Sequence, residues 1–192
     1  MISFVVPSLI IIVFSTTIFL ILFFKRRISG LKLMYLVLFS VYISSLISIT
    51  FFPMPIQQYL IDIMIEDRLG FENNFVPFRI FSDVKDLELT FMISVILRQV
   101  VGNIILFVPL GFSLPIILSS SSMKKIVFIG FIVSLSIETI QWLLGLYFGY
   151  NYRATDIDDL IFNTIGSCIG YLLFTWIAPF LKTYELIDAD KA

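Results

Sequence analysis

The sequence predicts an all-α integral membrane protein, with five transmembrane helices in a small bundle. Three observations carry that prediction. First, 59% of the 192 residues are hydrophobic and 14% charged, with a mean hydropathy of +1.01, far from the balance of a soluble domain. Second, a bilayer core needs about 20 mostly apolar residues per spanning helix, and five such runs lie at about 2–24, 33–52, 95–118, 126–146 and 158–178. Third, none of these runs alternates as barrel strands would, and backbone groups inside lipid must be paired internally, which leaves helices.

The first span has no basic residue ahead of it and no small-residue cleavage site after it, so it reads as a retained anchor rather than a removed signal peptide. Lys25, Arg26, Arg27 and Lys32 follow it without an acid among them, and Lys124 and Lys125 follow the serine run Ser119 to Ser122. Short basic loops face the cytoplasm, which places the N-terminus outside and the C-terminal tail, with Lys182, inside. The tail's Glu185, Asp188 and Asp190 do not change this, because acids count little in that rule. The loop at about 53–94, with Asp62, Glu66, Asp67, Glu72, Asp83, Asp86 and Glu88 against Arg68, Arg79 and Lys85, then falls outside. No internal repeat divides the chain, and residues 1–192 read as a single membrane domain.

Within the outer loop, Leu60, Ile61, Met64, Ile65 and Leu69 recur at helical spacing among Gln57, Asp62, Glu66 and Asp67. This predicts an amphipathic helix over 56–69, either lying on the membrane surface or packed on the bundle. In the stretch NNFVPFRIF (73–81), Pro77 forbids a continuous helix and biases Val76 towards extended backbone. Its aromatic residues suit an interfacial anchor or a clamp on a ligand.

Polar residues inside spans are costly and need a partner or a role. Arg98, Gln99 and Asn103 fall in the outer part of the third span, Glu138 and Gln141 in the outer half of the fourth, and Asp156, Asp158, Asp159 and Asn163 at or near the outer end of the fifth. At 1.5 Å per residue, Asn103, Glu138 and Asn163 lie roughly 8 to 12 Å below the outer boundary. Ser134, Glu138, Gln141 and Gly145 share one helix face, and Asp159, Asn163, Gly166 and Gly170 repeat that spacing, which predicts two facing helices. Gly166 and Gly170 also form a G-x-x-x-G pair that admits a close neighbour. Glu138 is expected to pair with Arg98 or Arg153. The plainer alternative is a polar network gluing the helices, with Asp156 as N-cap and Asp158 and Asp159 favoured at the positive helix end.

With no histidine and one cysteine, Cys168, zinc, haem and iron–sulfur sites have almost no ligands. Cys168 sits in mid-span among small residues and reads as packing. An oxygen-liganded ion such as magnesium remains open, with Asp156, Asp158 and Asp159 as ligands and Arg79, Arg98 and Arg153 holding a phosphate. No nucleophile is evident for such an enzyme, although a carboxylate base is available.

Four stretches, NNFVPF (73–78), GNIILFVPLGFSLP (102–115), SIETIQ (136–141) and RATDIDDLIFNTIGSCIGY (153–171), resemble in order the VanZ-like family of bacterial membrane proteins. The resemblance covers roughly half the chain, and residues 2–52 carry little of it. It implies a multi-pass protein of the bacterial cytoplasmic membrane whose founding member lowers susceptibility to the lipoglycopeptide teicoplanin. That member does so without the precursor remodelling that defeats vancomycin. Mapped onto this sequence, the positions implied are Asn74, Pro77, Phe78, Asn103, Phe107, Pro109, Gly111, Glu138, Gln141, Arg153, Asp156, Asp158, Asp159, Asn163, Gly166 and Gly170.

The resulting expectation is an outward-facing polar pocket of Asn74, Arg79, Arg98, Asn103, Glu138, Gln141, Arg153, Asp156, Asp158, Asp159 and Asn163. Pro109, Gly111, Gly166 and Gly170 shape the helix packing. The expected partner is a membrane lipid or lipid-tailed molecule at the outer leaflet, with no nucleic acid and no cofactor. Two alternatives stand beside it: a metal-assisted enzyme acting on a lipid-linked phosphate, with magnesium, and a lipid or small-molecule transporter. The lack of a repeat and of polar residues in the inner half weighs against transport. Oligomeric state is left open.

Overall fold

A computed structural model describes residue 1, residues 3–118 and residues 121–187. Ile2 in the expected first span, Ser119 and Ser120 of the serine run, and Asp188 and Asp190 of the tail lie outside the described residues. The chain is all-helical among those residues. Five helical stretches are long and apolar enough to cross a membrane: Val5–Phe24, Gly30–Phe51, Leu89–Ile117, Met123–Phe148 and Ile157–Thr183. The protein is therefore a multi-pass membrane protein.

In chain order, the helices are α1 (Val5–Phe24), α2 (Gly30–Phe51), α3 (Gln58–Glu66), α4 (Arg79–Asp83), α5 (Leu89–Ile96), α6 (Gly102–Ile117), α7 (Met123–Phe148) and α8 (Ile157–Thr183). A π-helical turn, Leu97–Val101, joins α5 to α6. The third span thus begins six residues before the expected position 95, because Leu89 to Val95 are apolar enough to continue it. Side chains start α2, α7 and α8. Ser29 accepts from the Lys32 N–H, Ser122 from that of Lys125, and Asp156 from that of Asp158.

Helix α8 packs most extensively on α6 and next on α7, while α1 packs on α2 and α2 on α6. A Cβ on Gly166 would collide with the Ile104 carbonyl, and one on Gly170 with that of Val108. The absence of side chains there lets the α6 and α8 backbones touch. Gly111 of α6 answers from the other side against the Ser167 backbone. In α6, the Tyr42 hydroxyl of α2 donates to the Leu106 carbonyl, 2.9 Å away and just before Pro109.

One apolar cluster joins α2, α6 and α7 around Phe107, Leu110, Leu46, Ile126 and Ile137. A second seats Ile80 and Val84 of the loop on Phe162 of α8, with Met92 and Ile96 of α5 against them. This second cluster fixes the loop to the end of the bundle. The short helix α3 ends at Glu66, short of the expected 69, and buries Ile61 while Tyr59 and Ile65 stay exposed.

Candidate functional site

The site is built where the loop meets the start of α8. Pro77 has no N–H, so the chain around it cannot pair as regular structure and takes its bonds from elsewhere. The Asn74 N–H donates to the Thr155 carbonyl (2.8 Å) and the Ile157 N–H to the Asn74 carbonyl (3.0 Å), a single parallel bridge. The Asn74 side chain accepts from the Val76 N–H at 2.9 Å, closing an Asx turn, and donates to the Asp156 carboxylate at 2.8 Å. Phe78 then adopts the left-handed conformation, φ 61°, and turns the chain into α4.

Asp158 receives this turn. One of its carboxylate oxygens accepts from the Phe78 N–H, the other from the Ile80 N–H at 3.1 Å and, at 3.4 Å, from the Asn74 amide. Asp158 is only 3% exposed, yet donors on the facing loop satisfy both of its oxygens. On the other side of the segment, Glu138 of α7 accepts from the Asp156 N–H at 2.8 Å. Asn74, Asp156, Asp158 and Glu138 therefore form one latch binding loop, α7 and α8. Burial pushes the Asp156 carboxyl above its ordinary range, and its bonds from the Asp158 N–H and the Asn74 amide pull it back.

The remaining expected pocket residues divide among other partners. Asn103 of α6 donates to Asp159, Asn163 donates to Ser134 of α7 at 2.9 Å, and Gln141 donates to the Thr50 carbonyl of α2 at 3.0 Å. The stripe on α8 thus lies in the groove between two helices, with Asp159, Gly166 and Gly170 towards α6 and Asn163 towards α7. Arg79 turns outward to Glu72 (3.7 Å) and Asp83 (3.3 Å). The expected ion pair of Glu138 with Arg98 or Arg153 does not form. Glu138 takes a backbone N–H, Arg153 donates to the Phe52 carbonyl at 2.6 Å, and Arg98 lies exposed in the π turn.

Next to the latch is a groove of about 230 Å³ between α7 and the start of α8. Phe75, Leu135, Trp142 and Leu160 wall it, and Glu138, Thr139, Thr155 and Asp156 supply its polar atoms. The Thr155 hydroxyl is buried with no hydrogen-bond partner among the described residues. Phe75 and Trp142 are 62% and 43% exposed, so the groove has an aromatic rim. Of the eleven expected pocket residues, only Glu138 and Asp156 line it, and its wall is mostly apolar. Phe75 belongs to the aromatic stretch 73–81 read as an anchor or a ligand clamp, whereas sequence reading missed Trp142 and Thr155. Their only signal was an aromatic or hydroxyl residue beside a motif position.

The aspartates do not assemble as magnesium ligands. Backbone donors hold Asp158, Asp159 points to Asn103 on α6, and no three acids, cysteines or histidines group as a cation site among the described residues.

The family model for VanZ/LLP1 matches residues 39–178, from the middle of α2 to the last part of α8. The chain is 32% identical over 78 residues to Protein VanZ of Enterococcus faecium, which is 40% of this chain and 44% of that protein. It therefore spans less than half of that relative's length. No solved structure matches the chain. The matched segment contains the loop, the latch, the groove and the α6–α8 contact, and on that match the chain belongs to the VanZ/LLP1 family.

Proposed function

We propose that this protein is a VanZ-like envelope protein that engages a lipid or lipid-tailed molecule in the groove beside Glu138, and so lowers susceptibility to lipoglycopeptides such as teicoplanin. The observation that carries the proposal is the make-up of the groove. Apolar walls under an aromatic rim make up nearly all of its surface, and Glu138, Thr139 and Asp156 give its floor a small polar part. The Thr155 hydroxyl beside them is buried with no hydrogen-bond partner among the described residues. Ligand sites commonly combine an apolar lining with a few placed polar groups. An acyl tail would lie against Leu135, Leu160 and Trp142 while a hydroxyl or amide meets the floor. The acidic loop and the basic connections at the opposite end support an outward-facing groove in the bacterial cytoplasmic membrane. Occupancy there would withhold a lipid-tailed drug from the cell surface.

The test compares teicoplanin and vancomycin susceptibility in cells expressing wild type, Glu138→Gln or Leu160→Trp at matched membrane levels. Glu138→Gln keeps an acceptor for the Asp156 N–H but removes the carboxylate, and Leu160→Trp fills the groove. Wild type is expected to protect against teicoplanin more than vancomycin, with both variants losing most of that protection. Full protection by both variants would sink the groove reading.

A further inference from the structure

We propose that a second cavity at the same end of the bundle, beside Arg153, binds a phosphate-class oxyanion carrying an organic substituent. The proposal goes beyond the groove reading and does not depend on it. The same connection serves both sites, with residues 155–157 lining the groove and Tyr150, Tyr152 and Arg153 lining this cavity of about 330 Å³.

Among the described residues that line it, none is a carboxylate. Arg153 is half-buried, and one of its amino groups is held by the Phe52 carbonyl at 2.6 Å. It makes no ion pair among the described residues, unlike Arg79, which has Glu72 and Asp83. A guanidinium carries five N–H donors in a fixed fork, and taking such a charge out of water without a counter-ion is costly.

The fork matches two oxygens of a phosphate, and its anchoring by Phe52 orients it in advance. Tyr152 reinforces this arrangement. Its hydroxyl donates to the Phe51 carbonyl at 3.3 Å, and burial holds that hydroxyl above its ordinary range, the Arg153 charge beside it offsetting only part of the rise. Met64, Leu69 and Phe71 complete the wall and leave an apolar side for whatever group the phosphate bears. A lipid headgroup and a soluble phosphate ester both have this chemistry.

The experiment uses the wild-type full chain in phosphate-free maltoside micelles, where an arginine-specific dicarbonyl labels Arg153, and the exposed Arg98 serves as internal reference. Labelling is followed by peptide mass spectrometry, first with inorganic phosphate against chloride at equal ionic strength, then with phosphatidylglycerol in mixed micelles. At ligand about tenfold above its dissociation constant, Arg153 labelling should slow about tenfold while Arg98 is unchanged. Slowing by phosphatidylglycerol alone assigns a lipid headgroup, and slowing by inorganic phosphate assigns a soluble source. No slowing by either, or equal slowing at Arg98, overturns the proposal. In Glu138→Gln the ligand should still slow Arg153 labelling as in wild type, so the two sites fail or stand separately.

Discussion

The start of α8 and the whole of α1 sit in one bundle and are held in opposite ways. At α8, Asp156 and Asp158 fasten the loop through Asn74, Phe78 and Ile80, and Glu138 fastens α7. Helix α1 is largely apolar, buries no residue, and lies packed along α2. The hydrogen bonds between them among the described residues are the 2.7 Å contact between the Ser8 and Ser48 hydroxyls and a 3.3 Å bond from the Ser44 hydroxyl to the Ser8 carbonyl. In lipid the hydrophobic effect does not tell a neighbouring helix from an acyl chain, so close backbone packing and hydrogen bonds decide which helices meet. The difference follows from this: the polar end fixes a unique geometry, whereas α1 needs only to span. The family match, beginning at residue 39, leaves α1 out.

The strongest way to break the comparison is to remove the acceptor at Asp158. Asp158→Ala leaves the Phe78 and Ile80 N–H groups facing a buried site without partners. Each such orphan costs 1–3 kcal/mol, so a loss of about 4 kcal/mol is expected. Unfolding in detergent measures it, and limited proteolysis should show cleavage of the loop near residues 75–83. An unchanged midpoint would mean that the latch does not hold the loop.

A smaller effect is expected one layer down. Gly170→Leu places a side chain where the Val108 carbonyl and the Phe112 N–H now lie, forcing α6 from α8. Overpacking of this kind costs about 1 to 3 kcal/mol. Cysteine cross-linking between the two helices should fall with it; cross-linking at the wild-type rate would show that the helices need no such contact.

The five spans were legible because length and hydropathy alone define them; the spacing of Gly166 and Gly170 marked a close helix neighbour but pointed to α7, where the structure has α6. The pairing of the polar residues was not legible. Asp158 is satisfied largely by the main chain of Phe78 and Ile80, and a backbone N–H leaves no mark in a sequence. Glu138 looked in need of an arginine for the same reason, since its partner is the Asp156 N–H. Arg98 misled through its closeness in sequence to Asn103: an ideal helix period already turns it about 140° from that side chain, and it lies exposed in the π turn at Leu97–Val101. The groove was hidden because Phe75, Trp142 and Leu160 come from three segments that only the folded latch brings together.

The smallest effect sharpens the comparison from the other side. Ser48→Ala removes the hydroxyl that meets Ser8, though Ser48 also donates to the Ser44 carbonyl of its own helix at 2.7 Å. A hydrogen bond between membrane helices averages about 0.6 kcal/mol, because in the separated state each partner finds substitutes. The Ser8 hydroxyl has such a substitute close by, since backbone carbonyls lie one turn back in its own helix. Ser48→Ala should therefore cost no more than about 0.6 kcal/mol in detergent unfolding and leave the loop as protease-resistant as in wild type. A loss approaching that of Asp158→Ala would mean that α1 is held as specifically as the latch, and the contrast between the two regions would have to be given up.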